Sequence, residues 1–334
     1  MNKVVIDGES LTIEDVVHVA RRDFQVEVSQ EAMRRVAKCR ETVDKLIREN
    51  KVIYGVTTGF GFLSGVAITP QESKELQMNL IRSHSSAIGK PLGRDVVRAL
   101  MLLRANTLAK GHSGVRLETL ETLVKMLNKK VHPIIPEKGS VGASGDLSAL
   151  SHMTLVMLGE GQAEFNGHIM GGLEAMKKAG IDILELEAKE GLALNNGTQL
   201  MTALGALAIH DAEQLMRTVE IISAMSMEAL GAISDAFDNR IHRARAHEGQ
   251  IVTARNILVL TAGSDMVMTG SRRMKEASGR TETGRPPHDP YTIRCIPQVL
   301  GMARDTIRHA KKIVEVEINS ATDNPLIFPE DNEC

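Results

Sequence analysis

Tryptophan is absent from this 334-residue chain, tyrosine occurs twice, and aromatics together make up 2% of it. So thin a supply argues against the stacking platforms that bind single-stranded nucleic acid. It also leaves the core to Leu, Ile, Val, Ala and 17 Met, a mixture suited to helix-on-helix packing. Cysteine is nearly as scarce. Cys39, Cys295 and Cys334 stand far apart, with neither a disulfide framework nor metal-ligand spacing, which fits a reducing, cytoplasmic setting. Charge of one sign is missing too. Against 40 Lys and Arg stand 42 Asp and Glu, so no basic field attracts nucleic acid. No apolar run reaches the ~20 residues that span a bilayer. The opening MNKVVIDGESLTIEDVV lacks the apolar core of a secretory signal. Neither a membrane nor a nucleic-acid partner is expected.

What is present is ordinary for a globular protein: 43% hydrophobic and 25% charged residues, enough for a large core. Most of it reads as helix. Thr69-Pro70-Gln71-Glu72 is a helix start, with Thr69 as cap and Pro70 in the first turn. Helical patterns cover 94–110 and 116–130, ended by Pro133 and Pro136. Residues 198–237 form a very long helical stretch and 298–318 another, which points to a bundle or an oligomer core. The strand candidates are Lys3–Ile6 and Glu164–Met170. Residues 269–291 are polar, contain Gly and Pro, and read as a long surface loop. Gly59-Phe60-Gly61 lacks the third glycine of a dinucleotide fingerprint.

The chemistry concentrates in residues 139–161, GSVGASGDLSALSHMTLVMLGEG. Without a side chain at Gly145, its amide nitrogen can approach the Ala143 carbonyl carbon closely. Attack there closes a five-membered ring and expels water. Loss of the Ser144 hydroxyl as a second water leaves an exocyclic methylidene, a strong electrophile. Taken alone, Ala143-Ser144-Gly145 is also an ordinary loop. A nucleophile elbow does not fit, because Gly142-Ala143-Ser144-Gly145-Asp146 is not Gly-x-Ser-x-Gly.

Four other segments carry polar or titratable groups set among small residues or turn signals. Tyr54 opens YGVTTGFG. A phenol, ordinarily ionising near about 10, is a poor base at neutral pH without positive potential nearby. Arg294, in HDPYTIRC, offers a planar fork for a carboxylate. His84, in NLIRSHSSAIG, can donate or accept a hydrogen bond, which an apolar residue cannot. Asn195-Asn196-Gly197-Thr198 is by itself a turn signal. His242 and His247 lack metal-ligand spacing with nearby carboxylates, and no metal is expected.

Together these segments closely resemble the signatures of the aromatic amino acid ammonia-lyases and aminomutases, which build a methylidene-imidazolone (MIO) group from Ala-Ser-Gly. The resemblance runs from Leu11 to Phe328. It implies a mainly α fold, a long-helix bundle with a smaller mixed N-terminal domain. Residues 1–195 would carry the MIO and Tyr54 loops, and 196–334 the bundle. It implies MIO formed autocatalytically from Ala143, Ser144 and Gly145, with no metal or nucleotide. Asp146 and Gly142 would shape that loop, and a helix beginning near Leu147 would turn its dipole toward the ring oxygen. The resemblance makes Tyr54 the catalytic base on a mobile loop, with Tyr291 hydrogen-bonding near the substrate. Asn196 would contact the MIO oxygen and the substrate carboxylate, Arg294 would bind that carboxylate, and His288 would lie near the amine or MIO. Histidine lyases resemble this chain at Ser83-His84, where phenylalanine lyases carry Phe-Leu and tyrosine lyases His-Leu. The implied reaction is loss of ammonia from L-histidine to give trans-urocanate, in a homotetramer that shares its active sites between subunits.

Two departures keep other substrates open. His288 stands where the histidine lyases usually have Gln, and Asn195 replaces an apolar residue. A tyrosine or phenylalanine lyase, or a 2,3-aminomutase, is the alternative within the family. The ending EINSATDNPLIFPEDNEC resembles a region midway along the family's chains. A Gly-Gly-Asn-Phe segment and a later substrate-contacting glutamate would follow it there. An inactive fragment or a non-catalytic helical assembly subunit is therefore the alternative of another class.

Overall fold

A computed structural model of the chain describes residues 2–49, 51–61, 68, 70–142, 144–278 and 288–334. The chain forms two compact units, Met1–Leu207 with Val314–Cys334, and Ala208–Ile313.

The first unit opens with strand β1 (Lys3–Ile6), parallel to β2 (Gln25–Val28), with helix α1 (Ile13–Arg22) between them in sequence. A reciprocal Thr12–Asp15 capping box starts α1, and Ser29 caps α2 (Gln30–Arg48). Helix α3 (Pro70–His84) starts where the sequence suggests, although Thr69 lies outside the described residues. Helix α4 (Arg94–Ala109) is the centre of the unit. Every residue from Val97 to Ala109 is buried, as expected of a helix apolar nearly all round. Helix α5 (Leu117–Asn128) packs on it.

Strand β3 (Ile88–Pro91) pairs with β5 (Pro136–Lys138), and β4 (His132–Pro133) with β6 (Gln162–Phe165). The expected strand at 164–170 is instead the turn of a hairpin, β6 with β7 (His168–Gly171). Asn166 and Gly167, both at positive φ, reverse the chain there. Helices α6 (Leu147–Met157), α7 (Gly172–Ala179) and α8 (Glu190–Asn195) complete this part, before α9 (Gln199–Leu230). Residues 314–334 return to the first unit. The Asp323 carboxylate accepts from Lys189 Nζ at 2.7 Å and from Ser113 Oγ at 2.9 Å, all three buried. Ile327 joins the cluster of Cys39, Val43 and Leu46.

In the second unit the long run expected to reach 237 stops at Leu230. Gly231 turns to positive φ, and a short 3-10 turn follows at Ser234–Phe237. Then come α10 (Asn239–Ala244), α11 (Glu248–Leu260), α12 (Gly270–Ser278), α13 (Tyr291–Arg294) and α14 (Ile296–Ile318). The expected loop at 269–291 thus begins as a helix, and 279–287 lie outside the described residues. Ala224, Met227, Phe237, Ile257 and Ile293 form the core. Among the described residues no helix is long and apolar enough to cross a membrane.

His132 shows how tightly the first unit is wired. Its Nδ1 lies 3.0 Å from the Glu164 carboxylate and its Nε2 3.1 Å from Arg98 Nη1. A guanidinium only donates, so Nε2 accepts and the ring proton sits on Nδ1. Burial pushes His132 down to about 4; Glu164 opposes this and Arg98 adds to it. The unfolded chain takes up that proton near about 6.5. The associated stability is therefore present at neutral pH and lost as pH falls from the unfolded toward the folded value. Between pH 7 and pH 5 the native protein should lose about 2 kcal/mol more than His132→Gln, read from denaturant midpoints. Equal losses in both proteins would assign the proton to another group.

Candidate active site

The small-residue loop lies beside the segment that joins α8 to α9. Ala143 itself is outside the described residues. Gly145 sits at φ +89°, and a Cβ there would fall 2.1 Å from the Gly197 carbonyl oxygen, so this contact requires glycine. Gly145 and Gly197 form an isolated parallel bridge, and the Gly197 carbonyl accepts from the Asp146 N–H at 2.6 Å. Asn196 Nδ2 donates to the Ser144 carbonyl at 3.2 Å and to the Ser144 hydroxyl oxygen at 3.3 Å. Ser140 Oγ donates to the Gly145 carbonyl. Asn196 and the Ser144-Gly145 pair, named from separate motifs in the sequence, are thus brought together.

Two helix starts converge on this loop. Asp146 occupies the N-cap position of α6, and its buried carboxylate accepts from the Met201 N–H in the first turn of α9. The positive end of the α6 dipole therefore lies next to Gly145. Behind the loop, the fully buried Arg104 donates to the Ala193 carbonyl at 2.9 Å and to the Asn196 carbonyl at 2.7 Å. Burial draws this guanidinium down to about 10, against the attraction of Asp323 and Asp146, so it remains cationic at neutral pH. A Cβ on Gly197 would stand 2.2 Å from Arg104 Nη2, so the glycine makes room for the arginine. Sequence reasoning missed Arg104. Its signal is a lone arginine in the apolar run ALMLLRANTLA.

Ser148 Oγ, Asn195 Oδ1, Gln199 Oε1 and Arg104 Nε are buried around the loop without a partner among the described residues. Such groups usually find one. Together with the absent Cβ at Gly145 and the Asn196 amide on the Ser144 oxygens, they suit a polar ring built from residues 143–145. Asn195 turns inward, donating to Ser151 Oγ at 3.3 Å, while Asn196 faces Ser144.

Tyr54 heads a tight turn. Its exposed hydroxyl accepts from the Gly61 N–H at 3.3 Å, and its ring meets Phe60 edge-on. Gln77, buried in α3 and also missed from sequence, ties this turn to α8. Its Nε2 donates to the Gly55 carbonyl and its Oε1 accepts from the Leu192 N–H. Helix α3 therefore spans from the Tyr54 turn to the segment that carries Asn196. His84, half-buried at the end of α3, has Nδ1 2.9 Å from the Leu80 carbonyl. A carbonyl only accepts, so Nδ1 carries the proton and Nε2 is the free acceptor.

His288, Tyr291 and Arg294 belong to the second unit. The Arg294 guanidinium lies 4.6 Å from the centre of the Tyr291 ring, a cation–π contact. Asp289, beside the exposed His288, anchors the segment by accepting from the Ile233 N–H and from Arg273.

Comparison with known proteins gives this geometry a context. A family model described as aromatic amino acid lyase matches residues 11–334. The chain is 53% identical, over all 334 residues, to a histidine ammonia-lyase of Caldanaerobacter subterraneus subsp. tengcongensis, and spans 63% of that protein's length. Among solved structures, Pantoea agglomerans phenylalanine aminomutase matches with TM-score 0.94 and 32% identity, over 100% of this chain and 65% of its own. Trypanosoma cruzi histidine ammonia-lyase matches with TM-score 0.86 and 39% identity, over 98% of this chain and 59% of its own.

Gly142 separates two causes of strain at the loop. It also sits at positive φ, but among the described residues a Cβ there would meet nothing within 4 Å. Gly145→Ala should therefore lower stability by about 1–3 kcal/mol more than Gly142→Ala, measured as denaturant midpoints. Equal effects would show that the approach of Gly145 to Gly197 constrains nothing.

Proposed function

The chain belongs to the aromatic amino acid lyase family, and we propose that it carries the chemistry of a histidine ammonia-lyase. One observation carries the proposal: Asn196 grips both oxygens of Ser144 while Gly145 is pressed against Gly197. In ring closure the Gly145 nitrogen bonds to the carbonyl carbon of residue 143. That carbonyl oxygen leaves as water, taking the amide protons of Gly145 and Ser144. The Ser144 hydroxyl and α-proton leave as a second water. Donation from Asn196 to Ser144 Oγ assists that departure, and its bond to the Ser144 carbonyl holds the oxygen that stays. The MIO group so made supplies an electrophile that draws electrons from the amino acid, so that its amine can leave.

The other roles fall to residues of the remaining motifs. Tyr54 takes the β-proton from the substrate. Arg294 binds the carboxylate through its fork, with Tyr291 beneath it and His288 near the amine. His84 Nε2 accepts from the substrate imidazole. Self-association is supported by the exposed apolar side chains Leu215, Ile222, Met225, Val299 and Met302, and the family resemblance adds active sites shared between copies. The second reading, a tyrosine or phenylalanine lyase or an aminomutase, is favoured by His288 and by the likeness to an aminomutase structure. The chain spans 63% of the first-matched histidine ammonia-lyase, so the activity of the whole enzyme is part of this proposal.

The purified protein should weigh two waters less than its sequence, with the loss in the peptide that contains Ser144. Ser144→Ala should keep its sequence mass and lose turnover. An unmodified native mass would sink the reading. With L-histidine as substrate, His84→Leu should lower kcat/KM by about 100-fold at an unchanged unfolding midpoint. Unchanged kinetics would leave His84 as packing. A panel with tyrosine, phenylalanine and detection of β-amino acids decides between the two readings.

A further inference from the structure

Two arginines lie fully inside α4, and their partners differ in kind. Arg98 donates from Nε to the Val19 carbonyl and from Nη1 to the Leu127 carbonyl. These acceptors sit near the ends of α1 and α5, so Arg98 fastens helices. Arg104 sends both of its bonds to one short segment, the Ala193 and Asn196 carbonyls. Helix α8 is six residues long and ends there, at Asn195. The last carbonyls of a helix have no partner within it. Arg104 supplies one, and places positive charge at the negative end of the helix.

After this capping the chain leaves helical geometry at Asn196, at φ −92° and ψ 116°. That extended step turns the Asn196 side chain to Ser144 and the Gly197 carbonyl to Gly145 and Asp146. The guanidinium lies against Gly197 on one side, and Gly145 lies against its carbonyl. Arg104 is thus one residue removed from the reacting loop and touches none of its atoms in the contacts described.

Resting on the reading above, we propose that Arg104 is a positioning residue for ring formation, holding residues 193–197 so that Asn196 and Gly197 clamp Ser144 and Gly145. Closure needs the Gly145 nitrogen near an attacking geometry, and a loosened clamp spreads the loop over unproductive ones. Lysine cannot replace the arginine fully. Nη1 and Nη2 serve carbonyls three residues apart, and an ammonium has one nitrogen.

The test uses the full chain and reads ring formation, not turnover. Native protein, Arg104→Met, Arg104→Lys and Arg98→Met are purified, and the folded fraction of each is isolated by size and circular dichroism. Intact mass with peptide mapping at fixed short times after synthesis, before the native chain has fully reacted, then gives the fraction that has lost two waters at Ser144. The native chain and Arg98→Met should be dehydrated to the same extent. Arg104→Met should fall by about tenfold or more, the size expected from losing a charge-assisted hydrogen bond, with Arg104→Lys in between. If Arg104→Met does not fold, Arg104→Lys decides. Native-like dehydration in a folded Arg104 variant overturns the inference alone. An equal loss in Arg98→Met overturns it too, because any weakening of α4 would then suffice. A native chain that keeps both waters removes the proposed function and this inference with it.

Discussion

A guanidinium taken wholly out of water constrains whatever surrounds it, because its charge stays and its N–H groups need acceptors. Arg104 is in that position. The acceptors it takes are the Ala193 and Asn196 carbonyls, so it fixes where α8 ends. The space it occupies excludes a side chain at 197, which is glycine. That glycine lets the backbone approach residue 145 so closely that it too must be glycine. Asp146, the next residue, supports the starts of both α6 and α9. One buried charge therefore organises two glycines, three helix ends and the amide that holds Ser144.

Much of the fold is legible because its signals are local. Pro70 in a first turn, the helical patterns that became α4 and α5 and the long apolar run of α9 each state their structure within a few residues. The failures also have local causes. Asn166-Gly167 is a hairpin turn inside a stretch that reads as one short strand. Gly231 ends a helix whose apolar pattern continues past it. The parallel pairing of β1 with β2 was not legible, because a four-residue strand acquires its identity from its partner.

The site divides along the same line. Tyr54, Ser144, Asn196, Tyr291 and Arg294 stand in motifs that resemble the family's signatures, although each motif alone also reads as loop, turn or surface. Arg104 and Gln77 stand in ordinary helical sequence, and their part appears only when partners about 90 and 115 positions away are in place. Asn195 and Asn196 show the limit most sharply. They are identical and adjacent, yet one turns into the core toward Ser151 and the other faces Ser144. The direction is set by where α8 ends, which is set by the arginine behind it.

A loop proposed to cyclise faces opposing demands. It needs glycine for close approach, yet glycine gives the unfolded backbone the greatest freedom to lose on folding. Its oxygens need donors that hold them without filling the space where atoms move. The structure meets both demands by placing rigidity outside the loop. Buried Arg104, Asp146 and Gln77 each bond to backbone groups of neighbouring elements, and those elements hold the glycines. The buried Lys189–Asp323 pair then fastens residues 314–334 to the segment leading into α8. Removing one partner of such a pair leaves an uncompensated buried charge, typically a loss of about 3–5 kcal/mol. The ion pair lies just before α8 and Arg104 just behind its end, so the stability of the first unit and the geometry of the Ser144 loop rest on one short segment.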